Sequence, residues 1–129
     1  MITVNFYIGS RYPVDRQLLR ERAKEVLTKY NIDHAQLDVS IVGQRKMQTL
    51  NEEQMKHQGP TDVLSFPHHE KKQLDEVPLP AEVPPHLGDI LISFPEAVKT
   101  ARRFGKRVDD RLCFYLEHGL MHLLGYHHE

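Results

Sequence analysis

Apolar and polar residues alternate from the first positions: Ile2, Val4, Phe6 and Ile8 interleave with Thr3, Asn5 and Tyr7. A period of two sends successive side chains to opposite faces, so this stretch predicts a strand. Gly9 and Pro13 mark the turn after it. The period then lengthens. Over residues 14–30, Leu18, Leu19, Ala23, Val26 and Leu27 recur at helical spacing, with Arg16, Arg20, Arg22, Lys24 and Glu25 on the other face. Asn31 suits the left-handed position that ends a helix. Alternation returns from Ala35 to Val42 through Leu37, Val39 and Ile41, a second strand. Gln44 to Gln54 reads as a short helix with Met47, Leu50 and Met55 turned inward, and Thr61 to Phe66 as a third strand after Pro60.

Residues 68–86 lose periodicity and are polar and proline-rich, which predicts a long exposed loop. His68, His69 and His86 flank it and read as solvated loop side chains. Leu87 to Ser93 is a fourth strand. Ser93-Phe-Pro-Glu96 carries the capping box of a helix that runs to about Phe104, with Gly105 at its end. Asp109 and Asp110 open a last helix through Leu112, Leu116, Leu120 and Leu123. The order βαβαββαα predicts an α+β fold. A small mixed four-stranded sheet packs with about four helices, in one domain over residues 1–129.

Composition narrows the setting. The chain is 40% hydrophobic and 27% charged with a net charge of −1, so no global field draws it to nucleic acid or membrane, and any such surface is a local patch. Cys113 is the single cysteine, which rules out an intramolecular disulfide; its apolar helical setting marks it as a small buried hydrophobe. The opening residues do not read as a signal peptide and no apolar run reaches membrane-spanning length. A reducing cytoplasm is the expected location.

The chemistry gathers at the end of the last helix. His118-Gly-Leu-Met-His122-Leu-Leu-Gly125-Tyr-His-His128 has the form H-x-x-x-H-x-x-G-x-x-H. Two His four apart share a helix face, one turn apart, and can reach one ion. Gly125 permits the turn that brings His128 from a third direction. Three imidazoles suit Zn²⁺, with nickel, copper or iron also compatible, and leave a position open for water. Such a metal lowers the pKa of bound water and polarises a phosphoryl oxygen, which suits hydrolysis. Metzincin-type peptidases share the spacing but need Glu directly after the first His. Here that residue is Gly119, and Glu117, two positions back, points about 200° away around the helix.

Other reactive residues are less committed. His127 adjoins the third His and reads as a surface residue or an acid/base partner. Asp89 anchors a turn after Gly88 or accepts a bond from substrate, and Thr61 and Ser65 contact phosphate or sugar unless they serve only strand and turn. Lys99, Arg102, Arg103 and Lys106 share a helix face that can hold phosphates or simply meet solvent, with Arg107 and Arg111 beyond it.

Three segments together resemble one family. They are Leu50-Asn51 leading to Pro60-Thr-Asp-Val-Leu-Ser-Phe-Pro67, then Leu87-Gly-Asp-Ile-Leu-Ile-Ser93, then the His118–His128 motif. Their order and spacing are similar to the YbeY family of bacterial rRNA maturation factors, metal-dependent single-strand endoribonucleases. The resemblance implies an α+β fold with a zinc site at the end of the last long helix, held by His118, His122 and His128. It implies single-stranded RNA, rRNA and the small ribosomal subunit as partners, and roles in 16S rRNA 3′-end maturation and ribosome quality control. Two positions depart from the family. Met55 stands where its members usually have Arg, and the adjacent Lys56 supplies charge but no bidentate fork. His127 replaces the usual Asp. The chain also stops at Glu129, where relatives usually continue. Three readings follow: a zinc-dependent endoribonuclease, a ribosome assembly factor with a mainly structural metal, and a zinc peptidase lacking its Glu.

Overall fold

In the computed structural model the chain forms β1 (Ile2–Ile8), α1 (Arg16–Lys29), β2 (Ala35–Val42), α2 (Gln44–Met55), β3 (Val63–Pro67), β4 (His86–Ser93), α3 (Phe94–Phe104) and α4 (Val108–Leu123). The structure describes residues 1–9, 11–55, 63–67 and 85–125, with the backbone alone over 50–55. The α+β order is the one the periodicities predict. Local chemistry sets the boundaries. Asp15 caps α1 by accepting from the Leu18 amide at 3.1 Å. Asn31 follows that helix at φ 63°. Ser93 Oγ accepts from the Glu96 amide at 3.3 Å to start α3, and Gly105 ends it in the left-handed region.

The sheet order is β1-β2-β4-β3. β1, β2 and β4 run parallel, while β3 lies antiparallel to β4 as an edge strand. Alternation gives the sheet two unlike faces. On one, Val4, Leu37, Val39, Ile41, Ile90 and Ile92 pack with Leu19, Ala23 and Leu27 of α1, Ala97 of α3, and Leu112, Leu116 and Leu120 of α4. Each large side chain fully buried there contributes roughly 1.5–3 kcal/mol. The second face carries a smaller cluster of Val42, Leu64 and Leu91 under Met47 of α2. Its other end is polar. Asn5, Asp38 and Asp89 sit side by side there on β1, β2 and β4.

Two expectations need correction. His86 is not a solvated loop residue: it opens β4 in register with Gln36, half-buried, with Nε2 3.1 Å from Asp38 Oδ2. Parallel pairing with β2 draws it into the ladder. Asp89 does not turn the chain after Gly88; it lies inside β4 opposite Asp38. Of the predicted long loop, only Pro85 and His86 fall among the described residues.

Gly88 is where β3, β4 and α4 come closest. Its φ is 152°, and a Cβ there would meet the Phe66 carbonyl oxygen, with Pro67 Cα and Leu123 Cδ2 both at 2.9 Å. Two of the three obstacles are backbone atoms. Gly88→Ala should therefore cost about 1–3 kcal/mol of stability, read as a lower urea midpoint. An unchanged midpoint would contradict this packing. Cys113 supplies a second check. Burial pushes its thiol above the usual cysteine range, and the Arg22 charge offsets that only in part. The reactive thiolate then forms only as pH rises past that elevated value. Native protein at pH 8 should react with a thiol reagent far more slowly than urea-unfolded protein, and equal rates would refute the burial.

Candidate metal centre

Helix α4 positions the first two histidines of the terminal motif. Its buried stripe of Leu112, Leu116, Gly119 and Leu120 docks on the sheet. His118 and His122 lie at the rim of that stripe, both half-buried. Their Nε2 atoms are 3.2 Å apart, with ring centroids at 4.8 Å. Two imidazole nitrogens bound tetrahedrally to one Zn²⁺ at 2.0–2.1 Å would be roughly 3.4 Å apart. The spacing of the described donor pair is close to what a shared cation requires.

Neighbours of the pair fix its backbone. Gly119, directly after His118, faces Ile90: a Cβ there would come within 2.8 Å of Ile90 Cγ2. Ser65 Oγ of β3 donates to the Gly119 carbonyl oxygen at 3.3 Å. That bond ties the edge strand to the same helical turn. The Ser65 hydroxyl therefore has a structural partner beside the pair. Glu117, directly before His118, holds Arg22 of α1 at 3.1 Å. This hydrogen bond raises the Arg22 pKa above its ordinary value. The helix thus places sheet at 119 and α1 at 117. A metzincin-type base has no room at the first position, and the carboxylate at the second is engaged elsewhere.

Gly125, shortly after α4, has φ 90°, a conformation that favours glycine. His127 and His128 beyond it lie outside the described residues, as do Lys56 and Thr61. Arg102 and Arg103 are exposed on α3 and border an open surface depression of about 650 Å³ with Lys99, Pro95 and Val98. Arg111 is not part of that solvated face; its Nη2 donates to Tyr115 Oη at 3.3 Å.

Asp89 does not join the histidines. Ile90 faces Gly119, so its neighbour Asp89 points to the opposite face of the sheet. There it meets Asp38 and His86, and the three offer ligand atoms within 4.8 Å of one another. This is the group of three among the described residues that can hold a metal ion. Asp38 also accepts from Asn5 Nδ2 at 3.0 Å. Sequence reading missed the cluster because its members lie on two strands nearly fifty residues apart. The one available signal was the polar position in the middle of each apolar strand.

The family model described as Endoribonuclease YbeY matches residues 10–129. A protein of that name from Anaeromyxobacter dehalogenans is 40% identical over 111 residues, 86% of this chain and 53% of its own length. One from Dehalococcoides mccartyi is 38% identical over 90% of this chain and 77% of its own. One from Persephonella marina is 33% identical over 99% and 78%. This chain thus spans about half the length of the first relative and about three quarters of the other two. Among solved structures, a Thermotoga maritima protein determined in solution superposes with a TM-score of 0.62 at 27% identity, covering 100% of this chain and 75% of that one.

Proposed function

This chain belongs to the endoribonuclease YbeY family, and from that premise we propose that it is a zinc-dependent endonuclease for single-stranded RNA. Its substrate is the 3′ end of 16S rRNA, cut on the small ribosomal subunit during maturation and quality control in the cytoplasm. It works as a single domain over residues 1–129. The observation that carries this reading is the convergence of the His118 and His122 Nε2 atoms at 3.2 Å on an otherwise fixed helix.

His118, His122 and, beyond the Gly125 turn, His128 hold the ion. Zinc held there lowers the pKa of water and polarises a phosphoryl oxygen. The chain's own groups do the positioning. Ile90 against Gly119 and Ser65 on its carbonyl keep the helix from sliding, so the imidazoles keep their position against β3 and β4. Arg102 and Arg103 supply cations for the RNA backbone; Lys56 and Thr61 extend that contact from the segment between α2 and β3. No helix of the described residues is long and apolar enough to cross a membrane.

Asp38, His86 and Asp89 offer a second place for a metal, separable by mutation. His122→Ala should lose about one equivalent of bound metal by elemental analysis and reduce cleavage of a labelled single-stranded RNA on the order of a hundredfold or more. His86→Ala should keep both. Metal that survives His122→Ala and leaves with His86→Ala would move the centre to the other face. Bound metal with no RNA cleavage would favour an assembly factor.

A further inference from the structure

Phe114 stands one helical turn before His118 with 50% of its surface exposed. Its ring is nearly parallel to that of His118, at 21°, with centroids 6.4 Å apart. The Arg111 guanidinium carbon lies 4.4 Å from the centre of the Phe114 ring. Exposed large apolar side chains occur elsewhere too, as at Tyr7 and Phe104. Phe114 differs in touching both a cation and one of the paired imidazoles.

Arg111 is held in place. Its Nη2 donates to Tyr115 Oη at 3.3 Å, and Tyr115 in turn donates to Thr100 Oγ1 of α3 at 3.2 Å. Its Nε is buried with no acceptor among the described residues. An unmet buried donor is costly, so this guanidinium keeps unused capacity to interact with an anion arriving beside it. Arg111, Phe114, His118 and His122 follow one stripe along α4, at i, i+3, i+7 and i+11. A cation, an exposed ring and a pair of metal-type ligands in one line match the repeating parts of a nucleotide strand: phosphate, base, and the next phosphodiester.

We propose that Arg111 and Phe114 form a nucleotide subsite, in which Phe114 stacks on one base of a single RNA strand and Arg111 meets its phosphate, so that the adjoining linkage faces His118 and His122. The proposal rests on the ribonuclease reading above and deepens it. Stacking on an aromatic side chain accepts any base, because every base has a π face. It demands an unpaired strand, because bases in a duplex are already stacked on each other. The subsite therefore supplies selectivity for single strands without a sequence code. Four residues of helix advance about 6 Å, which sets the stacked base directly beside the cut.

The test uses a fluorescein-labelled, 2′-O-methylated oligonucleotide that resists cleavage, bound to the metal-loaded protein and followed by anisotropy. Phe114→Ala should weaken single-strand binding about tenfold, and raise KM with little change in kcat on cleavable RNA. Phe114→Trp should restore affinity, and Phe114→Leu should not. Arg111→Gln should lower the salt dependence of binding by about one phosphate contact. Wild-type affinity in Phe114→Ala, or full rescue by Leu, would overturn the stacking subsite and leave the ribonuclease standing. A wild-type protein that neither binds nor cuts single-stranded RNA would overturn the ribonuclease reading and the subsite with it.

Discussion

The close approach of α4 to the strands β4 and β3 governs the rest of this molecule. The helix lies so near the sheet that neither Gly119 on one side nor Gly88 on the other has space for a Cβ. That proximity buries Leu112, Leu116 and Leu120 and fixes the rotation of the helix about its axis. Rotation in turn decides which residues reach the rim. His118 and His122 do, half-buried and facing each other, while Glu117 is turned to α1 and Phe114 to solvent. A helix held farther from the sheet would be free to roll, and the imidazole pair would lose its place at the rim.

Much of this was legible in the sequence, for a physical reason. Periods of two and 3.6 follow from backbone geometry, so the order of the eight elements could be read from the chain. The caps at Ser93 and Gly105 are local and could be read from a few residues. The paired histidines are equally local, being one helical turn apart. What escaped depends on long-range pairing. Nothing near His86 announces that it will lie beside Asp38, because only the β2–β4 register brings them together. The Ser65–Gly119 bond spans 54 positions and the Arg22–Glu117 bond 95. Phe114 drew no notice as an apolar residue in an apolar helix, and only the docked orientation of α4 shows that it faces outward.

The sheet keeps its two kinds of polar chemistry apart. One face meets α4 and carries the imidazole pair at its rim; the other bears Asn5, Asp38, His86 and Asp89 beside a small apolar cluster. Between them lies a layer of Ile and Val side chains of low dielectric. Ligand atoms on one side cannot reach through that layer to the other. Each face is therefore free to meet a different partner.

The sheet order also sets a sequence in time. β4 occupies an inner position, flanked by β2 and β3, yet it is made after both. During synthesis β1 and β2 can pair early, but β3 has no strand to lie against until residues 86–93 emerge. The inner edge of β2 stays open to other chains over the same interval. Helix α4 comes later still, and without it the larger apolar face is uncovered. A nascent chain therefore carries neither a completed sheet nor a docked pair of histidines. The pairing of His118 and His122 at the rim of the sheet is withheld until the last described helix has folded into place.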